Sequence, residues 1–116
     1  MIQHVSLEIL REQASREVAF WKLLGFAEAA PPPSLADRAA FVGSGGFQIH
    51  LLFAAEPEIP RAAHVAVVVD GYDAVAAALL AAGHGHEPRQ QHWGAARGYT
   101  RSPAGHRVEL MAAPPP

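Results

Sequence analysis

The strongest constraint on this chain is that its second half restates its first. His4-Val5 returns as His64-Val65 after 60 residues, Gly25 as Gly83 after 58, and His50 as Glu109 after 59. In that alignment Gln48-Ile49-His50-Leu51-Leu52 lies over Arg107-Val108-Glu109-Leu110-Met111. Three offsets close to 59 residues point to a duplicated module.

The pattern inside each copy is βαβββ. His4 to Ile9 alternates polar and apolar residues, the period of a strand with Val5, Leu7 and Ile9 on one face. From about Ser15 to Leu24, Val18, Phe20, Trp21, Leu23 and Leu24 recur at three- and four-residue steps, and Gly25 stands where a helix-ending glycine belongs. This predicts a helix whose Phe20 and Trp21 are core or interface residues. Short strands are expected near Phe26, over Arg38 to Val42, and over Phe47 to Phe53 after a glycine turn. In the second copy the β-branched run His64 to Val69 precedes a helix carrying Tyr72, Val75, Leu79 and Ala82, closed by Gly83. Strands are then expected at about His86 to His92, Gly98 to Arg101 and His106 to Met111. The whole chain, 1–116, reads as one domain: module one over about 1–55, a linker at about 56–62, and module two over about 63–113.

Composition narrows the function classes. Of 58 apolar residues 24 are alanine, so the bulky part of the core is small. The absence of cysteine removes disulfides, thiolate metal sites and cysteine nucleophiles together. Nine Lys and Arg against eleven Asp and Glu, with no basic run, argue against a nucleic-acid partner. The longest apolar run, Ala74 to Ala82, is nine residues, under half of the ~20 that cross a bilayer. Met1-Ile2-Gln3-His4 lacks the charged and apolar regions of a signal peptide, so a soluble, cytoplasmic protein with no membrane partner is expected.

Seven histidines stand out in a chain of this size. In each half one candidate metal ligand opens the first strand and another sits in the last: His4 and His50, then His64 and Glu109. The neighbours Val5, Ile49, Leu51, Val65, Val108 and Leu110 are apolar, as they must be if the ligand face and the helix-packed face alternate. Imidazole with carboxylate suits Zn²⁺, Ni²⁺, Fe²⁺, Mn²⁺ or Co²⁺. His84 and His86 form an H-x-H pair among glycines and are expected in an exposed turn. His92 and His106, beside turn residues, are expected at the surface.

These residues resemble the vicinal oxygen chelate superfamily of glyoxalases, bleomycin-resistance proteins and extradiol dioxygenases. The resemblance rests on the His4-Val5 strand, Phe20-Trp21-Lys22-Leu23-Leu24-Gly25-Phe26 as a helix ending in Gly-Phe, Ile49-His50-Leu51, the His64-Val65-Ala66 restart, and Ser102-Pro103-Ala104-Gly105-His106-Arg107-Val108-Glu109-Leu110. Two positions depart from the family pattern. Ser102 stands where the family usually has aspartate, and His50 where many glyoxalases carry glutamate or glutamine, which leaves Glu109 as the carboxylate for proton transfer.

The resemblance implies an α+β fold of two βαβββ modules forming a curved mixed β-sheet. It implies a divalent metal on His4, His50, His64 and Glu109, with Glu109 also catalytic. The segment with Trp93, Arg97 and Tyr99 would line a substrate cleft, and Glu8, on the face of His4, would be a further polar contact. The expected activity is that of a glyoxalase-like lyase or isomerase, or a dioxygenase, on a small molecule with adjacent oxygens. The competing class is a metal-free binding protein of the bleomycin-resistance kind. A homodimer is expected because the family commonly pairs two such chains.

Overall fold

In the computed structural model, which describes residues 1–116, the chain forms two units, Met1–Ile59 and Pro60–Pro116. The first contains β1 (His4–Ile9), α1 (Ala14–Leu23), β2 (Ala27–Ala29), β3 (Ala39–Ser44) and β4 (Phe47–Phe53). The second contains β5 (Val65–Val68), α2 (Tyr72–Ala81), β6 (Glu87–Pro88), β7 (Arg97–Arg101) and β8 (Arg107–Met111). Each unit carries one four-stranded mixed sheet, in the order β1-β4-β3-β2 and β5-β8-β7-β6. The first strand of each pairs parallel with the last, and the other pairings are antiparallel. The fold is therefore α+β with two βαβββ modules, as expected.

Both helices stop by the same device. After α1, Gly25 N–H donates to Lys22 O and Phe26 N–H to Trp21 O, each at 3.1 Å. After α2, Gly83 N–H donates to Leu80 O at 3.0 Å and His84 N–H to Leu79 O at 2.9 Å. Gly25 and Gly83 have φ of 95° and 84°, the left-handed conformation this cap requires and that side chains resist. The caps satisfy carbonyls that the helix ends would otherwise leave open.

Strand alternation sorts each sheet into two faces. In the first, Ile9, Ile49, Leu51 and Val42 lie on one side and are fully buried, while His4, Ser6, Glu8, Gln48 and His50 lie on the other. Phe20 and Trp21 are fully buried on α1, packed edge to face at 5.4 Å, and Trp21 meets Phe26 at 5.3 Å. Each such side chain contributes roughly 2 kcal/mol of transfer free energy. Trp21 Nε1 donates to buried Glu17 one turn earlier at 3.2 Å, giving the indole its partner. No helix is long and apolar enough to cross a membrane.

Three expectations need correction. The strand expected over His86 to His92 is only Glu87–Pro88: one further bond, Arg89 N–H to Arg97 O, follows, and the next carbonyl, Gln90 O, is taken by the Arg97 side chain instead of a β7 N–H. His106 is buried: it sits inside the turn between β7 and β8, its N–H donating to Ser102 Oγ and its carbonyl accepting from Ser102 N–H. Ser102 thereby supplies the turn-closing oxygen at the position where the family usually has aspartate. His84 and His86 are half-buried, and His86 Nε2 hydrogen-bonds the Tyr72 hydroxyl at 2.7 Å.

Candidate functional site

In the second unit, register carries Glu109 on β8 beside Tyr99 on β7 and Ala66 on β5. Its face is opposite Val108 and Leu110, so the alternation that buries those two presents the carboxylate with its own set of partners. Glu109 Oε2 accepts from Arg97 Nε at 2.8 Å, and Oε1 lies 3.1 Å from His64 Nε2. Arg97 also donates to the Tyr99 hydroxyl at 3.2 Å and to Gln90 O at 2.9 Å. His64 meets the Tyr99 ring edge to face at 5.2 Å. Glu109, His64, Arg97 and Tyr99, all singled out from sequence, thus form one constellation.

Its electrostatics follow from these contacts. Burial pushes the Glu109 carboxyl up, but the hydrogen bonds and charges of Arg97 and His64 outweigh it, and the group is held below the usual carboxylate range. The same bond to Glu109 raises Arg97. His64 Nδ1 lies 2.8 Å from Ala62 O, and a carbonyl only accepts, so Nδ1 carries the proton. Nε2, which faces the carboxylate oxygen, donates to it when the ring is protonated and offers a lone pair when the ring is neutral. Two donor atoms facing each other in this way are reconciled by a proton or by a cation between them.

In the first unit, His50 is sandwiched between Phe41, at 3.6 Å between ring centroids and 6° between planes, and His4, at 3.9 Å and 17°. Its Nε2 donates to Gln48 Oε1 at 2.8 Å, and His4 Nδ1 donates to Gln3 Oε1 at 2.7 Å. Burial lowers the His50 imidazole, and the charge of His4 lowers it further. In nearly parallel rings the in-plane lone pairs run side by side instead of meeting at a point. Glu8 on the same face accepts the Glu58 N–H at 2.8 Å.

Trp93 Nε1 donates to Ala113 O at 3.1 Å and so ties the loop before β7 to the C-terminal segment. Sequence reasoning did not single out Phe41 as a partner of His50, although register places it directly across. Alternation does place Arg107 beside the candidate ligands, but not its contact: the guanidinium lies 3.7 Å over the Tyr99 ring.

Within neither unit are three or more His, Asp or Glu side chains grouped to hold a metal ion. The donor chemistry of His64 Nε2 and Glu109 Oε1 nevertheless fits a divalent first-row ion, and Nδ1 has the backbone partner that orients metal-binding imidazoles. They are two of the four or more donors such an ion takes.

Comparison with known proteins agrees with this architecture. The chain matches the glyoxalase-like domain family over residues 5–111. No curated protein matches it in sequence. Among solved structures, a glyoxalase family protein from Bacillus anthracis superposes with a TM-score of 0.85 at 24% identity, over 96% of this chain and 93% of that one. A glyoxalase/dioxygenase from Nostoc punctiforme gives 0.78 at 20% identity, over 99% and 92%. Lactoylglutathione lyase from Agrobacterium tumefaciens gives 0.70 at 19%, over 96% and 92%. At these identities the shared property is the fold. With the repeat, the duplicated βαβββ topology and a family match spanning nearly its whole length, the chain belongs to the glyoxalase-like domain family of the vicinal oxygen chelate superfamily.

Proposed function

We propose that this protein is a small metal-dependent enzyme, a glyoxalase-like lyase or isomerase or a dioxygenase, acting on a molecule with adjacent oxygens. The observation that carries the reading is an imidazole nitrogen and a carboxylate oxygen brought together, His64 Nε2 standing 3.1 Å from Glu109 Oε1 with Nδ1 pinned to Ala62 O. Members of the superfamily commonly use divalent metals. His64 and Glu109 would hold the ion, which when bound supplies Lewis-acid polarisation of substrate oxygens. Arg97 anchors Oε2, so Oε1 is the oxygen through which Glu109 acts. Kept ionised near neutral pH, Glu109 is the residue that accepts a proton from substrate, and Tyr99, steadied by Arg97, offers a hydroxyl on the same face.

One observation favours a second reading. Arg97 already neutralises Glu109, an arrangement that serves a metal-free binding protein equally well. Metal analysis of protein purified without added metal separates the two, repeated on His64→Ala and Glu109→Ala and, for the imidazoles of the first unit, on His4→Ala and His50→Ala. Stoichiometric metal lost in the His64 and Glu109 variants supports the enzyme. A wild type without affinity for divalent ions would overturn it in favour of the binding protein. Where metal is present, oxygen uptake with catechols identifies a dioxygenase, and turnover of a hemithioacetal identifies a lyase.

A further inference from the structure

On the Glu109 face of the second sheet, arginines outnumber carboxylates. Register sets Arg101 beside Arg107, and Tyr99 between Glu87 and Glu109. Both acids are engaged: Glu87 pairs with Arg89 at 2.9 Å and Glu109 with Arg97 at 2.8 Å. Arg101 donates one N–H to Gly105 O at 3.0 Å and has no carboxylate. Arg107 stacks on Tyr99, and its guanidinium is in no ion pair with a carboxylate. A cleft of about 380 Å³ opens here, lined by Arg89, Arg101, Arg107 and Tyr99 together with His84, His86 and the Arg89-paired Glu87.

We infer that this cleft binds the anionic group of a small molecule, a carboxylate or a phosphate-type oxyanion, through Arg107 and Arg101, with Tyr99 as the platform that orients Arg107. Stacking fixes the guanidinium plane while leaving its edge open, and that edge presents parallel N–H donors at the spacing of an oxyanion's two oxygens. The unbalanced positive charge of Arg101 and Arg107 selects the sign of the ligand. Arg107 and Glu109 are two residues apart on one face of β8, about 7 Å along the strand. The inference rests on the enzyme reading in one respect: if Glu109 is where the substrate reacts, that substrate is an oxygen-rich molecule that also carries an anionic group.

The test is calorimetric titration of the full-length protein, made metal-free with phenanthroline, a neutral chelator that does not compete for arginine. The probes are inorganic phosphate and, separately, malonate, at low ionic strength. Saturable binding of either supports the inference, and the tighter probe tells a phosphate-type from a carboxylate-type ligand. Arg107→Gln is expected to weaken binding about tenfold or more, and Arg107→Lys, which keeps the charge but loses the fork, not to restore it fully. Arg101→Gln, an exposed position whose loss leaves the fold intact, weakens binding by a smaller factor and keeps the test decisive if Arg107→Gln fails to fold. No saturable binding of either probe, or equal affinity in wild type and both glutamine variants, would overturn the inference. Because the protein is metal-free, that failure leaves the enzyme reading standing. Conversely, anion binding by a wild type with no affinity for metal removes the enzyme reading alone.

Discussion

Arg97 and Glu109 sit diagonally on adjacent strands of the second sheet, Nε donating to Oε2 at 2.8 Å, and this bond governs how the carboxylate titrates. Burial alone would raise Glu109, and Arg97 together with His64 reverses that. A carboxyl lowered by folding adds stability that is present above its unfolded pKa and lost as pH falls through the folded one, below the usual carboxylate range. In metal-free protein, Arg97→Gln is therefore expected to move the Glu109 titration upward, read by carboxyl NMR. Glu109→Gln should flatten the acid limb of stability against pH. An unmoved titration in Arg97→Gln would show that the bond does not control the group.

His50 titrates in the opposite chemical sense. Burial, then the neighbouring His4, lower its imidazole below 6.5, so the folded chain prefers it neutral. Between 6.5 and the lower folded value the unfolded chain binds the extra proton. Stability is thus full above that window and falls as pH drops through it. Imidazole proton NMR of the metal-free protein should show His50 titrating below 6.5, and His4→Gln should return it part of the way. A His50 that titrates at its ordinary value in the wild type would contradict the stacked, partly buried arrangement.

Gly98 on β7 tests the seam between β6 and β7. A Cβ there would come 2.6 Å from Glu87 O, 2.8 Å from His86 Nε2 and 3.0 Å from the Tyr72 hydroxyl. The first is backbone and cannot rotate away, so Gly98→Ala is expected to destabilise the protein by about 1–3 kcal/mol. Gly43 on β3 is the control, since a Cβ there meets its nearest neighbours at 3.5 Å. Thermal melts should show a lower midpoint for Gly98→Ala and little change for Gly43→Ala. Equal midpoints would mean that the edge strand yields without cost.

Much of the candidate site was legible residue by residue and little of it pair by pair. His64, Glu109, Arg97 and Tyr99 could be picked from alternation and from the repeat. That Arg97 bonds Glu109 twelve residues later depends on the hairpin register, which the Ser102–His106 turn sets through three hydrogen bonds. The same turn explains why His106 was misread: glycine and proline around it signal a turn, but a turn folded back on itself buries a side chain that composition would leave outside. The two-residue β6 was overestimated because histidine and glutamine between glycines carry no information about where pairing stops.

The sequence by itself determined the repeat, the βαβββ order and the helix ends at Gly25 and Gly83. These depend on periods of two and 3.6 residues and on one backbone angle, which are properties of a few neighbouring residues. Only the tertiary structure decided which oxygen of Glu109 meets Arg97 and which meets His64, that His50 stacks between Phe41 and His4, and that Arg107 lies on Tyr99 in no ion pair with a carboxylate. Those relations join residues from different strands, and a shift of one residue in register would turn each side chain to the other face of its sheet.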